Sequence, residues 1–174
     1  MTKMKILPVE RAVEWIRAWT ELDWPITWET AYATRDKLGW KPAPDDGRFF
    51  TTELSTNGEE DGNITRFEGD CSGAFFPLCT RKFTTGVDEA RTTALHSAYN
   101  SYTTALVNLY GAGKKTTGRG GRRRTEWILA NQVTLSVSVS DKSISVTIDS
   151  PAITAINQAE LYYIEKYGEN YVDD

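Results

Sequence analysis

The sequence predicts an α+β fold, an antiparallel sheet packed by helices in the order ααββ(β)αβββα. Three observations carry that expectation. Between residues 133 and 148 apolar and polar side chains alternate with period two, the mark of half-buried antiparallel strands. Strand candidates occur in runs and do not alternate singly with helices, which argues against a doubly wound parallel sheet. Helical periodicity precedes each run and follows the last one.

The hairpin sets its own register. Val133, Leu135, Val137 and Val139 are followed, after Asp141 and Lys142, by Ile144, Val146 and Ile148. A turn at Asp141 and Lys142 pairs Val139 with Ile144, Val137 with Val146 and Leu135 with Ile148. All the branched side chains then share one face, and a one-residue slip would turn them outward. The Ser and Thr residues between them make a flat polar face, open to a partner.

The other elements follow in order. Pro8 opens the first helix with a φ suited to N1, and Val9, Ala12, Val13, Ile16 and Trp19 fall on one face. Trp24-Pro25 stops it. Thr27 caps a second helix that Gly39 closes, so 8–39 is a helical hairpin. Residues 41–47 are a loop by composition. Strands are expected at 48–54 and 63–68, joined by an acidic turn. A third strand at 74–83 contains Pro77, which places it at an edge or a bulge. The longest helix is 87–110, with an apolar face running from Val87 through Tyr99 and Tyr102 to Leu109, and Gly111 ends it. A basic loop over 111–124 leads into strands over 125–149. Ser150-Pro151 then starts a C-terminal helix over 151–167, followed by an acidic, frayed tail. A chain of 174 residues makes one domain of this.

Charge is unevenly spread. The net charge is −4, yet 114–124 carries six basic residues and no acid, leaving fourteen basic against twenty-four acidic residues elsewhere, or −10. An acidic body with one basic loop is the first indication of partner chemistry. No run of residues approaches the ~20 apolar positions of a membrane helix, and the N-terminus lacks the apolar core of a signal peptide. Cys71 and Cys79, with no His nearby in sequence, read as reduced, partly buried thiols of a cytoplasmic protein, with a disulfide between neighbouring strands as the alternative.

Candidate chemistry is sparse. Gly111, Gly113, Lys114 and Thr116 look like the end of a phosphate loop, but the first glycine is missing at Asn108 and the helix precedes the loop. Lys114, Lys115, Arg119, Arg122, Arg123 and Arg124 suit phosphate contacts or an acidic protein, although no aromatic is interleaved for base stacking. Nucleic acid is therefore not expected as the partner, and a solvated connector is the plainer reading of this loop. His96, the single histidine, has Ser97 and Asn100 beside it in sequence and could meet a cysteine only through folding. Two Cys and one His give no metal spacing, so neither a metal nor a cofactor is expected, nor any catalytic residue. Glu59, Glu60 and Asp61, with Glu68 and Asp70, form an acidic set that either blunts a strand edge or meets a basic partner. Trp15, Trp19, Trp24, Trp28 and Trp40 read as packing for the first helices.

In architecture and balance of charge the chain resembles the immunity proteins of bacterial toxin delivery systems, such as contact-dependent inhibition. The run of a helix ending Leu109-Tyr110-Gly111, a variable loop, a strand with Trp127 and a hairpin is also similar to small actinobacterial proteins. The resemblance implies tight one-to-one binding of a cognate toxin, by covering an active site or blocking a conformational change. Against a nuclease, the acidic set from Glu59 to Asp70 would face a basic groove. Two other classes stay open, a secretion chaperone or adaptor that holds a partner segment, and a small enzyme using His96.

Overall fold

Eight strands form one antiparallel sheet in the computed structural model, which describes residues 4–81 and 88–168. The first half of the chain supplies α1 (Val9–Thr20), α2 (Trp28–Lys37), β1 (Lys41–Pro42), β2 (Phe49–Thr51), β3 (Gly62–Phe67) and β4 (Asp70–Pro77). The second half supplies α3 (Glu89–Tyr110), β5 (Lys114–Thr117), β6 (Arg123–Ile128), β7 (Thr134–Val139), β8 (Ile144–Asp149) and α4 (Pro151–Tyr167). Strand order is β1-β2-β3-β4-β8-β7-β6-β5. Each half is thus helix followed by a four-strand meander, and the two meanders join antiparallel through β4 and β8. The α+β expectation holds.

The β7–β8 hairpin has the register its sequence dictates: Val139 pairs with Ile144, Val137 with Val146 and Leu135 with Ile148. Their side chains are all fully buried, on the face that α1 and α3 cover. From α1 come Ala12, Trp15, Ile16 and Trp19, and from α3 come Leu95, Tyr99, Tyr102 and Leu106. Tyr102 Oη donates to the Leu7 carbonyl at 2.5 Å, tying α3 to the N-terminal segment. The predicted apolar end of α3 is different: Leu109 is exposed. Trp15, Trp19 and Trp40 form the aromatic centre, while Trp24 and Trp28 pack at its margin.

Four expectations change. β2 is three residues long, not seven, and a short β1 forms where a loop was expected. Pro77 neither lies at an edge nor makes a bulge; it is the last residue of β4, in the middle of the sheet. The bulge is at Ser72, opposite the Thr65/Arg66 step of β3. The basic loop is not a connector either. Residues 114–117 pair with 123–126 as a β-hairpin at the sheet edge. Predicted strand residues 82–83, the helix start at Val87 and the tail beyond Gly168 lie outside the described residues.

Alternation in β5 to β8 leaves a second face, away from α1 and α3. One cross-sheet row on it reads Asn63, Phe75, Thr147, Ser136, Glu126 and Lys114. The next row reads Pro77, Ser145, Ser138, Arg124 and Thr116. At one end α4 touches this face: Thr134 and Thr154, both buried, share a hydroxyl–hydroxyl hydrogen bond of 2.6 Å. From Ala155 to Gly168 every residue of α4 and its cap is exposed. A helix of this length is marginal without packing, so its first turn carries it. Ser150 caps that turn through Ile153 N–H at 3.3 Å. Ser150→Ala is expected to cost about 1 kcal/mol, felt as faster amide exchange in α4 while the sheet's slow amides hardly change.

Candidate partner-binding surface

The structure divides the acidic set. Glu59, Glu60 and Asp61 precede β3, whereas Glu68 and Asp70 follow it. Six strand residues at ~3.3 Å each separate the two groups by about 20 Å. Asp61 also turns inward, accepting from Thr52 N–H at 2.8 Å and Thr52 Oγ1 at 2.6 Å. Burial nonetheless pushes its carboxyl above the usual range, against those two hydrogen bonds. Glu68 sits in a tight turn with φ 50°. These five residues do not make one acidic face.

The basic set is split by strand alternation instead. Arg123 points to the helix side. There it donates to Asn100 Oδ1 at 2.7 Å, lies 3.2 Å from His96 Nδ1 and stacks over the Tyr99 ring. Lys115 shares that side, opposite Thr125, whose hydroxyl bonds Tyr99. Lys114, Arg122 and Arg124 point to the open face, where Arg124 bridges Glu126 and Ser136 at 2.7 and 2.9 Å. Arg119 lies in the 3-10 turn at the hairpin tip. Gly113 allows this hairpin to lie flat, since a Cβ there would come within 2.6 Å of Thr125 and 2.7 Å of Trp127.

The enzyme-like arrangements do not assemble. His96 has the Arg123 guanidinium as its partner. Cys79 is buried, with Sγ accepting from Ile144 N–H, and Cys71 is buried near Gly73. Burial holds both thiols above their ordinary pKa, away from the thiolate a nucleophile needs. The would-be phosphate loop is a helix cap at Gly111 running into β5, with no helix after it to meet a phosphate. No group of three His, Cys, Asp or Glu with metal-binding geometry occurs among the described residues.

Sequence reasoning missed where the exposed apolar side chains collect. Among the described residues, eleven large hydrophobic side chains are exposed. Phe49, Phe67 and Ile128 lie on the open face by register, and six more lie on α4, which is rooted there: Ile156, Leu161, Tyr162, Tyr163, Ile164 and Tyr167. Only Val107 and Leu109 belong elsewhere, on α3. The signal was present for α4, whose apolar residues outnumber what one packed stripe requires, but nothing in the sequence showed that they would stay uncovered.

Asp149, beside the α4 root, is a titratable group on this face. Burial raises its pKa, Arg124 opposes the rise and Glu126 adds to it. A carboxyl raised on folding binds protons more tightly in the folded state. Stability therefore falls as pH rises from the ordinary carboxylate value through the raised one. Asp149→Asn is expected to be more stable relative to the parent at pH 7 than at pH 4, measured by urea unfolding at both.

No described helix is long and apolar enough to cross a membrane. No curated protein and no solved structure matches the chain. A family model described as a family of unknown function (DUF6301) matches residues 10–150, which takes in both meanders and stops where α4 begins. The chain belongs to that family.

Proposed function

We propose that this protein is a non-catalytic binding protein of the immunity type. It holds a cognate toxin domain one-to-one in the bacterial cytoplasm, on the open face of its sheet and the adjoining helix α4. One observation carries the reading: of the eleven exposed large hydrophobics among the described residues, three lie on that hydroxyl-rich face and six lie on α4, whose first turn is rooted at its end. Soluble proteins rarely leave such surface unused, and apolar anchors beside polar rims are how partners dock. The opposite side is filled by α1 and α3 and offers no comparable face. The acidic set from Glu59 to Asp70 is not the docking surface in this reading, because the fold separates its members.

A secretion adaptor is the second reading, favoured by α4, whose apolar residues would suit a partner segment laid along it. Co-expression with the product of the adjacent open reading frame separates the two. A complex of one copy each, surviving size exclusion and silencing the partner's toxicity, is expected. A stable homodimer that captures unfolded segments of several proteins would instead favour the adaptor. Turnover of a substrate that disappears in His96→Ala would overturn both.

A further inference from the structure

Where β5 and β6 meet the β7–β8 turn, the open face deepens into a cleft of about 450 Å³. Arg81, Arg122, Arg123 and Arg124 border it with six Ser or Thr residues and Phe75 at one wall, the Arg123 guanidinium being turned to the helix side, and none of its described lining residues is acidic. Alternation aims Thr116 and Arg122 into it together with Ser138 and Ser145. Gly118, bonded to the Arg122 carbonyl at 2.9 Å, has no side chain to fill the mouth.

Arg122 and the serine hydroxyls keep protons to donate here. Arg122 is exposed and has no carboxylate within ion-pair distance among the described residues, unlike Arg124, which Glu126 neutralises. Ser140 Oγ already accepts from the Lys142 and Ser143 amides at 3.2 and 3.3 Å, so its proton is what it has left to give. Ser138 and Ser145 share one hydrogen bond of 3.1 Å, which leaves one hydroxyl proton between them. A guanidinium with no carboxylate partner, beside hydroxyls that still have protons to donate, recognises an oxyanion. A phosphoryl group, with three terminal oxygens, satisfies more of them than a carboxylate with two. The volume falls within the ~300–1,000 Å³ of small-molecule sites and leaves room beyond the anion, where the partly exposed Phe75 ring offers a flat apolar wall.

We propose that this cleft binds a phosphorylated small molecule, its phosphoryl oxygens on Arg122 and the serine hydroxyls and its planar or apolar part against Phe75. The site goes beyond the partner-binding reading and stands without it.

The test is calorimetric titration of the full chain at about 0.15 M salt with inorganic phosphate, pyrophosphate, adenosine 5′-monophosphate and citrate. Saturable one-to-one binding of the monophosphate, tighter than inorganic phosphate, is expected. Arg122→Gln should weaken it at least about tenfold, its side chain being exposed and unneeded for folding. Lys115→Gln removes the same charge from the opposite face of the same hairpin and should change affinity less than about twofold. Equal weakening by both variants would reveal diffuse attraction to a basic hairpin and overturn the site. Citrate binding as tightly as pyrophosphate would overturn its phosphoryl preference, and the absence of saturable heat with every phosphate probe would overturn it outright.

Discussion

Gly73→Ala is expected to prevent stable folding, with a loss of at least about 4 kcal/mol, beyond the common range for point substitutions. Gly73 sits in β4, one of the two strands that join the meanders, with φ 150°, a conformation that disfavours any side chain. A Cβ there would be 1.8 Å from the Ile148 carbonyl oxygen and 2.9 Å from its carbon. These are backbone atoms of β8, so no side-chain rotamer can relieve the clash. The bulge at Ser72 adds a second consequence. The Ser72 carbonyl accepts the Ser150 N–H at 2.8 Å, and its hydroxyl bonds Thr65 at 2.9 Å. Pushing β4 off β8 therefore also releases the cap of α4. Loss of the cooperative urea transition, followed by circular dichroism, is the expected readout; a variant within about 1 kcal/mol of the parent would show that the two meanders are not held by this contact.

Trp40→Ala should cost about 3–5 kcal/mol, a large part of the ~5–15 kcal/mol that holds an ordinary domain together. The Trp40 ring stacks on Phe50 at 4.5 Å and on Trp19 at 6.0 Å. It meets Trp15 edge-on at 5.1 Å and Phe76 at 5.2 Å. One side chain thus joins α1, β2 and β4, and truncation opens a cavity bordered by rings too rigid to collapse into it. Trp40→Phe keeps an aromatic face in the stack and forfeits no hydrogen bond, because the indole N–H has no partner. It should lose substantially less. Chemical denaturation of the two variants side by side checks the order, and equal losses would mean that ring stacking contributes little here.

What could be read from the sequence, and what could not, divides along physical lines. The β7–β8 register was legible because branched residues alternate without interruption and only one pairing hides them all. Residues 151–167 were legible as a helix because Ser150 and Pro151 form a cap and a first turn. The β5 strand was not, because Lys114, Lys115, Thr116 and Thr117 carry no apolar alternation; an edge strand held by backbone pairing needs none. Pro77 misled for the opposite reason. A missing N–H matters little at a strand's last residue, and pairing passes instead to Leu78 N–H, which donates to the Ile144 carbonyl at 2.9 Å. The candidate site was the least legible part. Glu59 and Asp70 are eleven positions apart, and only the length of β3 shows that they cannot share a patch. The open face needed the whole topology, since its rows draw one residue from each of several strands.

A bulky cation in the middle of that face tests its role most directly. Thr147 lies between Phe75 and Ser136 on the open side and is only partly buried. Thr147→Arg should leave the melting profile near that of the parent and weaken the co-purified partner at least about 100-fold, the effect of disrupting an interface centre. Arg17→Ala, on the exposed side of α1, should bind like the parent. Unchanged affinity in Thr147→Arg, with binding lost in Arg17→Ala, would place the partner on the helical side and contradict the assignment.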